Sequence, residues 1–359
     1  MPVRAGKVLT NIVVIIVAVV VTLGVLEVGF RLFRPQEHFA VTVNTWDRQV
    51  GTRHIPGARG FVVNPQYKMD LIINSKGLRD REFPYAKPPG TRRILCLGGS
   101  FTCGYGVGAE QTFAKVLENL LNSDDDEGER WEVLNGGVGS TGTAHQLAFF
   151  QTEGYKYDPD FVLLCFSQAT DFWDNIISGL YTLEDGKLIK HDAPRTPSRK
   201  IQNIVKWVPG YTTFFAKSHL LNFVKARVSQ HHYRDLAERI QLPEDDTAIE
   251  EAEEELTRHL LVALRDEGAR IGCRLVVTAI PLPRTWGWYD ETVELFEYLE
   301  TEGIPFVDLS EGFRTAAAQG SQLIYPKDLH WTQDGHRLAG SILHTFFSQQ
   351  PAVKPGGQS

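Results

Sequence analysis

Hydrophobic and polar positions along the chain fall into two regimes. From Val8 to Leu26, "VLTNIVVIIVAVVVTLGVL", nineteen residues pass without a charge. As a helix this run spans about 28 Å, close to the hydrocarbon thickness of a bilayer. A core helix keeps a polar face, and a signal peptide has a shorter apolar core and a small-x-small cleavage site. No such site precedes "LEVGFRLFRP", so residues 1–33 are expected to form a retained single-span anchor.

A mixed, proline-dotted juxtamembrane connection over residues 34–90 ends in the breaker "KPPG". Short apolar runs then alternate with helical spacing. Strands are predicted at Arg93–Leu97, Trp131–Leu134, Phe161–Phe166, Leu275–Ile280 and Pro305–Leu309. Helices are predicted at Ala109–Leu121, where Phe113, Val116, Leu117 and Leu120 share a face, and at Thr143–Gln151, Ile249–Gly268, Glu291–Glu302 and Thr332–Phe347. Such alternation argues for an α/β domain over residues 91–350, with a parallel sheet covered on both faces. Sites in such sheets form at the carboxyl ends of the strands.

An acidic loop follows the first helix at Asp124–Glu129, and an insertion occupies about 175–246. Within it "YTLEDGKLIK" predicts a hairpin around Asp185-Gly186, and "FFAKSHLLNFVKARV" an amphipathic helix. A cap over the site, a contact with the membrane surface and a plain packed excursion all fit this insertion. Residues 351–359 have the composition of a disordered tail.

Composition narrows the function classes. The 359 residues carry a formal net charge of −7 with no basic stripe, which argues against a nucleic-acid partner. The four cysteines form no CxxC pair, so neither a zinc site nor a disulfide framework is expected, and Cys96, Cys165 and Cys273 read as buried thiols. Arg4 and Lys7 precede the apolar run, and Arg31 and Arg34 follow it. The charge asymmetry is slight. The expected arrangement places the N-terminus inside the cell and the domain in the periplasm or at the cell surface.

The candidate chemistry begins at "RILCLGGSFTCGYG", Arg93 to Gly106. Its glycines, at 98, 99, 104, 106 and 108, miss the spacing of a dinucleotide fingerprint, and no Gly-Lys-Ser/Thr is present for a phosphate loop. Thr102 stands where a Gly-x-Ser-x-Gly elbow needs its second glycine. What remains is Ser100, just past a strand on a thin backbone. A serine nucleophile needs a base and an orienting carboxylate. "YPKDLHWTQDGHRLAG" offers Asp328 and His330 ahead of the last helix, with Thr332 as its N-cap. His336, inside that helix, reads as a packing or capping residue.

From about Lys76 to Phe347 the chain resembles the SGNH/GDSL hydrolase superfamily, in particular its membrane-anchored bacterial members. The resemblance rests on five ordered blocks: "GLRDREF", "RILCLGGSFTCGYGV", "WEVLNGGVGSTGTAHQL", "YKYDPDFVLLCFSQATDFWDN" and "DLHWTQDGHRLAG". It implies a flavodoxin-like three-layer α/β/α sandwich. It implies too that Ser100 attacks an ester or acyl group, with His330 as base and Asp328 as its orienter, and no metal or organic cofactor. The usual Gly-Asp-Ser is here Gly98-Gly99-Ser100. The glycine that donates a backbone N–H to the oxyanion is replaced by Ser140, with Gly139 before it. The asparagine of Gly-Asn-Asp is replaced by Thr170, in Ala169-Thr170-Asp171, so either Thr170, a water or Asn175 substitutes for the donor, or catalysis is slower or tuned to another acyl transfer. The implied substrate is an acyl or acetyl ester, on a lipid or a glycan. O-acetyl transfer to or from a cell-surface polysaccharide, and a catalytically silent binding protein, are the alternatives. Trp173, Trp286, Trp288 and Trp331 are candidate aromatic surface for such a substrate.

Overall fold

The computed structural model describes residues 2–34, 36, 38–39, 43–123, 130–194, 217–224, 227, 246–281 and 290–351. The acidic loop, most of the insertion, Trp286, Trp288 and residues 352–359 lie outside the described residues. The central sheet has five strands: β1 (Thr91–Gly98), β2 (Arg130–Asn135), β3 (Phe161–Phe166), β4 (Arg274–Ala279) and β5 (Phe306–Val307). All are parallel, in the order β2-β1-β3-β4-β5. This is the flavodoxin-like order, whose direction of winding reverses between β1 and β3.

Successive side chains of a strand point to opposite faces, and β1 divides accordingly. Leu95 and Leu97 enter one core with Leu134, Leu164 and Val277, while Ile94 and Cys96 enter the other with Val133, Leu163 and Val276. Helices α4 (Thr143–Thr152), α6 (Asp246–Ala269) and α7 (Asp290–Thr301) cover the first face through Leu147, Leu260, Leu264 and Leu299. Helices α3 (Phe113–Leu121), α8 (Ser310–Ala318) and α9 (Gln333–Phe347) cover the second through Phe113, Leu117, Phe313 and Leu343. The three-layer α/β/α sandwich follows from these two apolar faces.

Residues 34–90 hold more structure than their sequence promised. Residues 38–39, 59–63 and 68–72 form a three-stranded antiparallel sheet, and residues 44–47 pair with 51–54. Val43, Val62, Met69, Leu71 and Ile73 pack with Cys103, two turns of chain past β1. Each run is only two to five residues long, too short for a period to stand out from chance. Asp80 then bridges to Lys115 at 2.8 Å and accepts the Asn135 N–H at 2.8 Å, tying the "GLRDREF" block to α3 and β2.

The N-terminal helix α1 (Pro2–Phe33) contains a run, Thr10–Phe33, of mean hydropathy 2.9 with nothing buried against the protein, which makes it a candidate membrane span. Its Glu27 carboxylate accepts hydrogen bonds from Ser218 Oγ at 2.8 Å, from the His219 and Leu220 N–H groups at 3.0 Å each, and from Arg31 Nε at 2.8 Å. Phe30 packs on Phe223 at 4.7 Å between ring centroids. The described part of the insertion is therefore pinned to the carboxyl end of the apolar helix. The Asp185-Gly186 turn joins strands Tyr181–Glu184 and Lys187–Lys190, both turn residues having positive φ.

One buried ion pair supports the amino end of β1. The fully buried Arg93 guanidinium donates to Glu132 Oε2 at 2.6 and 3.0 Å, and to the Tyr85 carbonyl at 2.9 Å. Removing one partner of such a pair strands the other charge out of water. Glu132→Ala is expected to cost about 3–5 kcal/mol. A denaturant midpoint that falls at unchanged slope is the readout.

Candidate active site

Three loops at the carboxyl ends of β1, β2 and β3 converge with the segment before α9. The backbone leaves β1 at Gly98 with φ +156, a region closed to residues bearing a Cβ. A Cβ there would sit 2.2 Å from Thr102 Oγ1 and 2.9 Å from the Cys165 carbonyl oxygen. Ser100 starts the single-turn helix α2 (Ser100–Cys103), and its carbonyl accepts from the Gly104 and Tyr105 N–H groups at 2.9 and 3.0 Å. The buried Arg79 guanidinium donates to the carbonyls of Cys103 (2.6 Å), Gly104 (2.8 Å) and Val107 (2.7 Å). The first is the last carbonyl of the one-turn helix, one of those a helix end leaves without an intrahelical partner, and the other two belong to the turn that follows it.

His330 Nε2 lies 2.7 Å from Ser100 Oγ, and His330 Nδ1 lies 2.7 Å from Asp328 Oδ2. A carboxylate only accepts, so the proton is assigned to Nδ1 and the Nε2 lone pair faces the serine hydroxyl. Phe101 and Tyr105 pack on the His330 ring at 4.8 and 5.4 Å between centroids. Leu329, between Asp328 and His330, has φ +67, an uncommon conformation for a leucine. Its loop is closed by Leu329 N–H to the Tyr325 carbonyl (2.8 Å) and Tyr325 N–H to the His330 carbonyl (2.9 Å). Gln66 Oε1, from the antiparallel extension, accepts from the N–H groups of Lys327 (2.8 Å) and Asp328 (3.0 Å). Thr332 Oγ1 caps α9 by accepting from Gly335 N–H.

Ser140 lines the same cavity as Ser100 and has φ +61, the left-handed conformation that a glycine would enter freely. Neither Ser100 nor Ser140 uses its backbone N–H in a hydrogen bond among the described residues. Gly139 is placed differently. A Cβ added there would lie 2.5 Å from the Tyr105 hydroxyl oxygen, and Gly139 is not among the described residues that line the cavity. Thr170 borders the cavity, with its hydroxyl 3.0 Å from Ser167 Oγ and 3.4 Å from Asp171 Oδ1. Asn175 is fully buried and committed elsewhere: Nδ2 donates to Thr257 Oγ1 and Oδ1 accepts the Ala144 N–H, each at 2.9 Å. It is therefore no substitute for the missing asparagine.

The cavity encloses about 290 Å³ between Ser100, Ser140, Ser167, Thr170 and helix α5 (Asp171–Ile177). Trp173 is exposed on its wall. Trp331, by contrast, is core, packed on Phe101, Phe113 and Phe313. Asp174 borders the cavity, and loss of solvation pushes its carboxyl up to about 6. Burial likewise pushes the enclosed Asp171 well above the usual range, helped by the nearby Asp174. Arg79 and Gln66 were not singled out from the sequence. Arg79 stands inside the quoted block "GLRDREF" and could have been found there, whereas an isolated glutamine carries no signal.

His336 is wholly buried, and its Nδ1 accepts the Phe113 N–H at 3.2 Å. Burial pushes the His336 imidazole down to about 3 from 6.5, and that of His54 down to about 4. Between those values the unfolded chain binds protons that the folded chain refuses, so this stability is full above pH 6.5 and lost as pH falls. Asp174 acts in the opposite sense, its contribution being lost as pH rises from 3.8 to about 6. Comparing wild type with His336→Asn, which keeps an acceptor for Phe113, isolates the histidine. The variant should lose less stability than wild type between pH 7.5 and about pH 5, measured by denaturant titration.

No family model matches the sequence, and no curated protein aligns with it. Solved structures with a similar course of chain include a two-domain esterase active on acetylated mannans, co-crystallized with mannopentaose (14% identity, TM-score 0.40). The match covers 74% of this chain and 52% of that one, so the chain spans about half the length of the two-domain esterase. The psychrotrophic esterase EstA from Pseudoalteromonas sp. matches at 12% identity and TM-score 0.41, covering 72% of this chain and 97% of that one. A catalytic mutant of the acetylxylan esterase Axe2 from Geobacillus stearothermophilus matches at 11% identity and TM-score 0.39, covering 74% and 97%.

Proposed function

We propose that this chain is a membrane-anchored serine ester hydrolase of the SGNH type. The observation that carries the reading is the unbroken chain Asp328–His330–Ser100, with both links at 2.7 Å. That is hydrogen-bond reach for nucleophile to base and for base to orienter. Ser100 Oγ adds to the ester carbonyl as its proton passes to His330 Nε2, and Asp328 stabilises the imidazolium that forms. The oxygen of the tetrahedral adduct takes up hydrogen bonds from the Ser100 and Ser140 N–H groups. The C–O bond to the leaving alcohol then breaks as His330 returns the proton to it. Water, activated by His330, resolves the acyl-enzyme in the same way. The left-handed backbone at Ser140 supports this reading, because it presents an N–H where the family uses glycine.

Residues 91–350 form the catalytic domain in this reading, residues 34–90 join it to the anchor, and α1 spans the membrane with the domain outside the cytoplasm. The exposed apolar run Thr10–Phe33 supports the anchor.

A fluorophosphonate probe is expected to label the full chain in membranes, and Ser100→Ala to abolish both labelling and ester hydrolysis. Asp328→Asn should lower kcat by about 10⁴-fold, through loss of the correct histidine tautomer. No Ser100-dependent adduct, in a sample where a control esterase labels, would sink the nucleophile assignment.

A further inference from the structure

The cavity beside Ser100 contains a charge that ester hydrolysis does not require. Besides Ser100, its described lining residues include four that bear hydroxyls (Ser140, Thr141, Ser167 and Thr170), Trp173 and Asp174, and no lysine or arginine is among them. Among the described residues the Asp174 side chain makes no hydrogen bond and no ion pair, unlike Asp80, Asp160 and Asp328, each of which has a cationic or histidine partner at 2.7–2.8 Å. Its position is set by close packing of α5 on the loop after β2. A Cβ on Gly142 would lie 2.7 Å from Asn175 Oδ1 and 3.0 Å from Asp174 Cβ. Asp174 therefore stands directly across from the Ser140 turn.

His330 and Asp328 do not line this cavity. The leaving alcohol has to sit where His330 can protonate it, so the cavity on the other side of Ser100 receives the acyl group. A carboxylate on that side opposes the negative charge that develops on the carbonyl oxygen, and the opposition is strong in a partly desolvated site. It also repels acyl groups that carry an anion. An acyl group bearing a cation reverses both effects. Trp173, the residue before Asp174, adds a ring face on which a cationic nitrogen rests favourably.

We infer that Asp174 is a specificity-determining residue that selects acyl groups bearing a cationic nitrogen close to the ester carbonyl, as in α-aminoacyl esters. The inference rests on the reading of Ser100 as nucleophile. It goes beyond that reading by naming the acyl chemistry. The ammonium donates to the Asp174 carboxylate and lies over Trp173, while the carbonyl oxygen faces the Ser100 and Ser140 N–H groups.

The test compares esters of one alcohol with alanyl, isobutyryl and succinyl groups, the first two differing by an ammonium in place of a methyl. Turnover by full-length protein in detergent is corrected for the Ser100→Ala background and for hydroxide-catalysed reactivity. Wild type should prefer alanyl over isobutyryl by about tenfold or more in kcat/KM, the size of one charge-assisted hydrogen bond, mainly through KM. Succinyl should be the poorest of the three. Asp174→Asn should bring the alanyl/isobutyryl ratio close to one, and Asp174→Glu should restore part of it. A wild-type ratio near one, or a ratio unmoved in Asp174→Asn, overturns the inference. If Asp174→Asn does not fold, as judged by loss of fluorophosphonate labelling, the wild-type ranking alone decides, and preference for isobutyryl or succinyl overturns it. Acetylcholine against 3,3-dimethylbutyl acetate forms a second arm. An Asp174-dependent preference there, without one for alanyl, overturns the acyl-side placement. Hydrolysis of neutral esters by Ser100 without charge preference removes this inference alone, whereas no Ser100-dependent turnover of any ester removes the hydrolase reading with it.

Discussion

Where β1 ends, the backbone passes between Thr102 and the Cys165 carbonyl through a gap that admits no side chain. Much else in the molecule depends on that passage. It lets the chain turn from a strand buried on both faces into a helix of one turn, so that Ser100 emerges at the sheet's edge rather than inside it. Arg79, from a segment that precedes the domain core, braces the end of that helix and the turn after it by donating to the carbonyls of Cys103, Gly104 and Val107. The same turn roots the antiparallel extension through Cys103. That extension in turn supplies Gln66 to hold the Asp328 loop. Ser100, His330 and the elements that position both are therefore mechanically one assembly, though they come from chain segments more than two hundred residues apart.

Charge is distributed unevenly over this assembly. At the far side of the sheet, buried ions come in satisfied groups, Arg93 with Glu132 and Lys115 with Asp80 and Glu118. Around Ser100 the arrangement is sparse. Asp328 is matched to His330, two backbone N–H groups remain open, and Asp174 remains without a partner. A buried or half-buried charge left unpaired is costly for the fold. Its retention at the mouth of a nucleophile turn is understandable if a ligand supplies the compensating charge.

The N-terminal apolar helix follows the same physical logic. A carboxylate in an apolar helix is expensive unless its lone pairs are occupied. Glu27 has four donors, three of them from the inserted segment at residues 218–220. The contact joins the end of α1 to a segment that begins between β3 and β4, and so couples the disposition of the domain to the helix that carries it.

The sequence by itself determined the layered architecture. A strand buried on both faces must be apolar throughout, and Phe161–Phe166 is so; an amphipathic helix must repeat near 3.6, and Phe113, Val116, Leu117 and Leu120 do. Those are local patterns, and local patterns survive without knowledge of the fold. The order of the five blocks likewise pointed to Ser100, Asp328 and His330 before any distance was available. The short strands between residues 38 and 72 escaped notice because runs of two to five residues carry no period. Helix α5 and helix α8 escaped because, at seven and nine residues, they hold too few turns for a helical period to show. Tertiary structure alone decided which neighbour lines the cavity: Ser140, in its left-handed turn, lines it and Gly139 does not, and Asn175 is spent on Thr257 and Ala144. It also decided that Asp174 stands beside Ser100 with no partner among the described residues, because whether a carboxylate has a partner depends on groups that are distant in sequence and near only after folding.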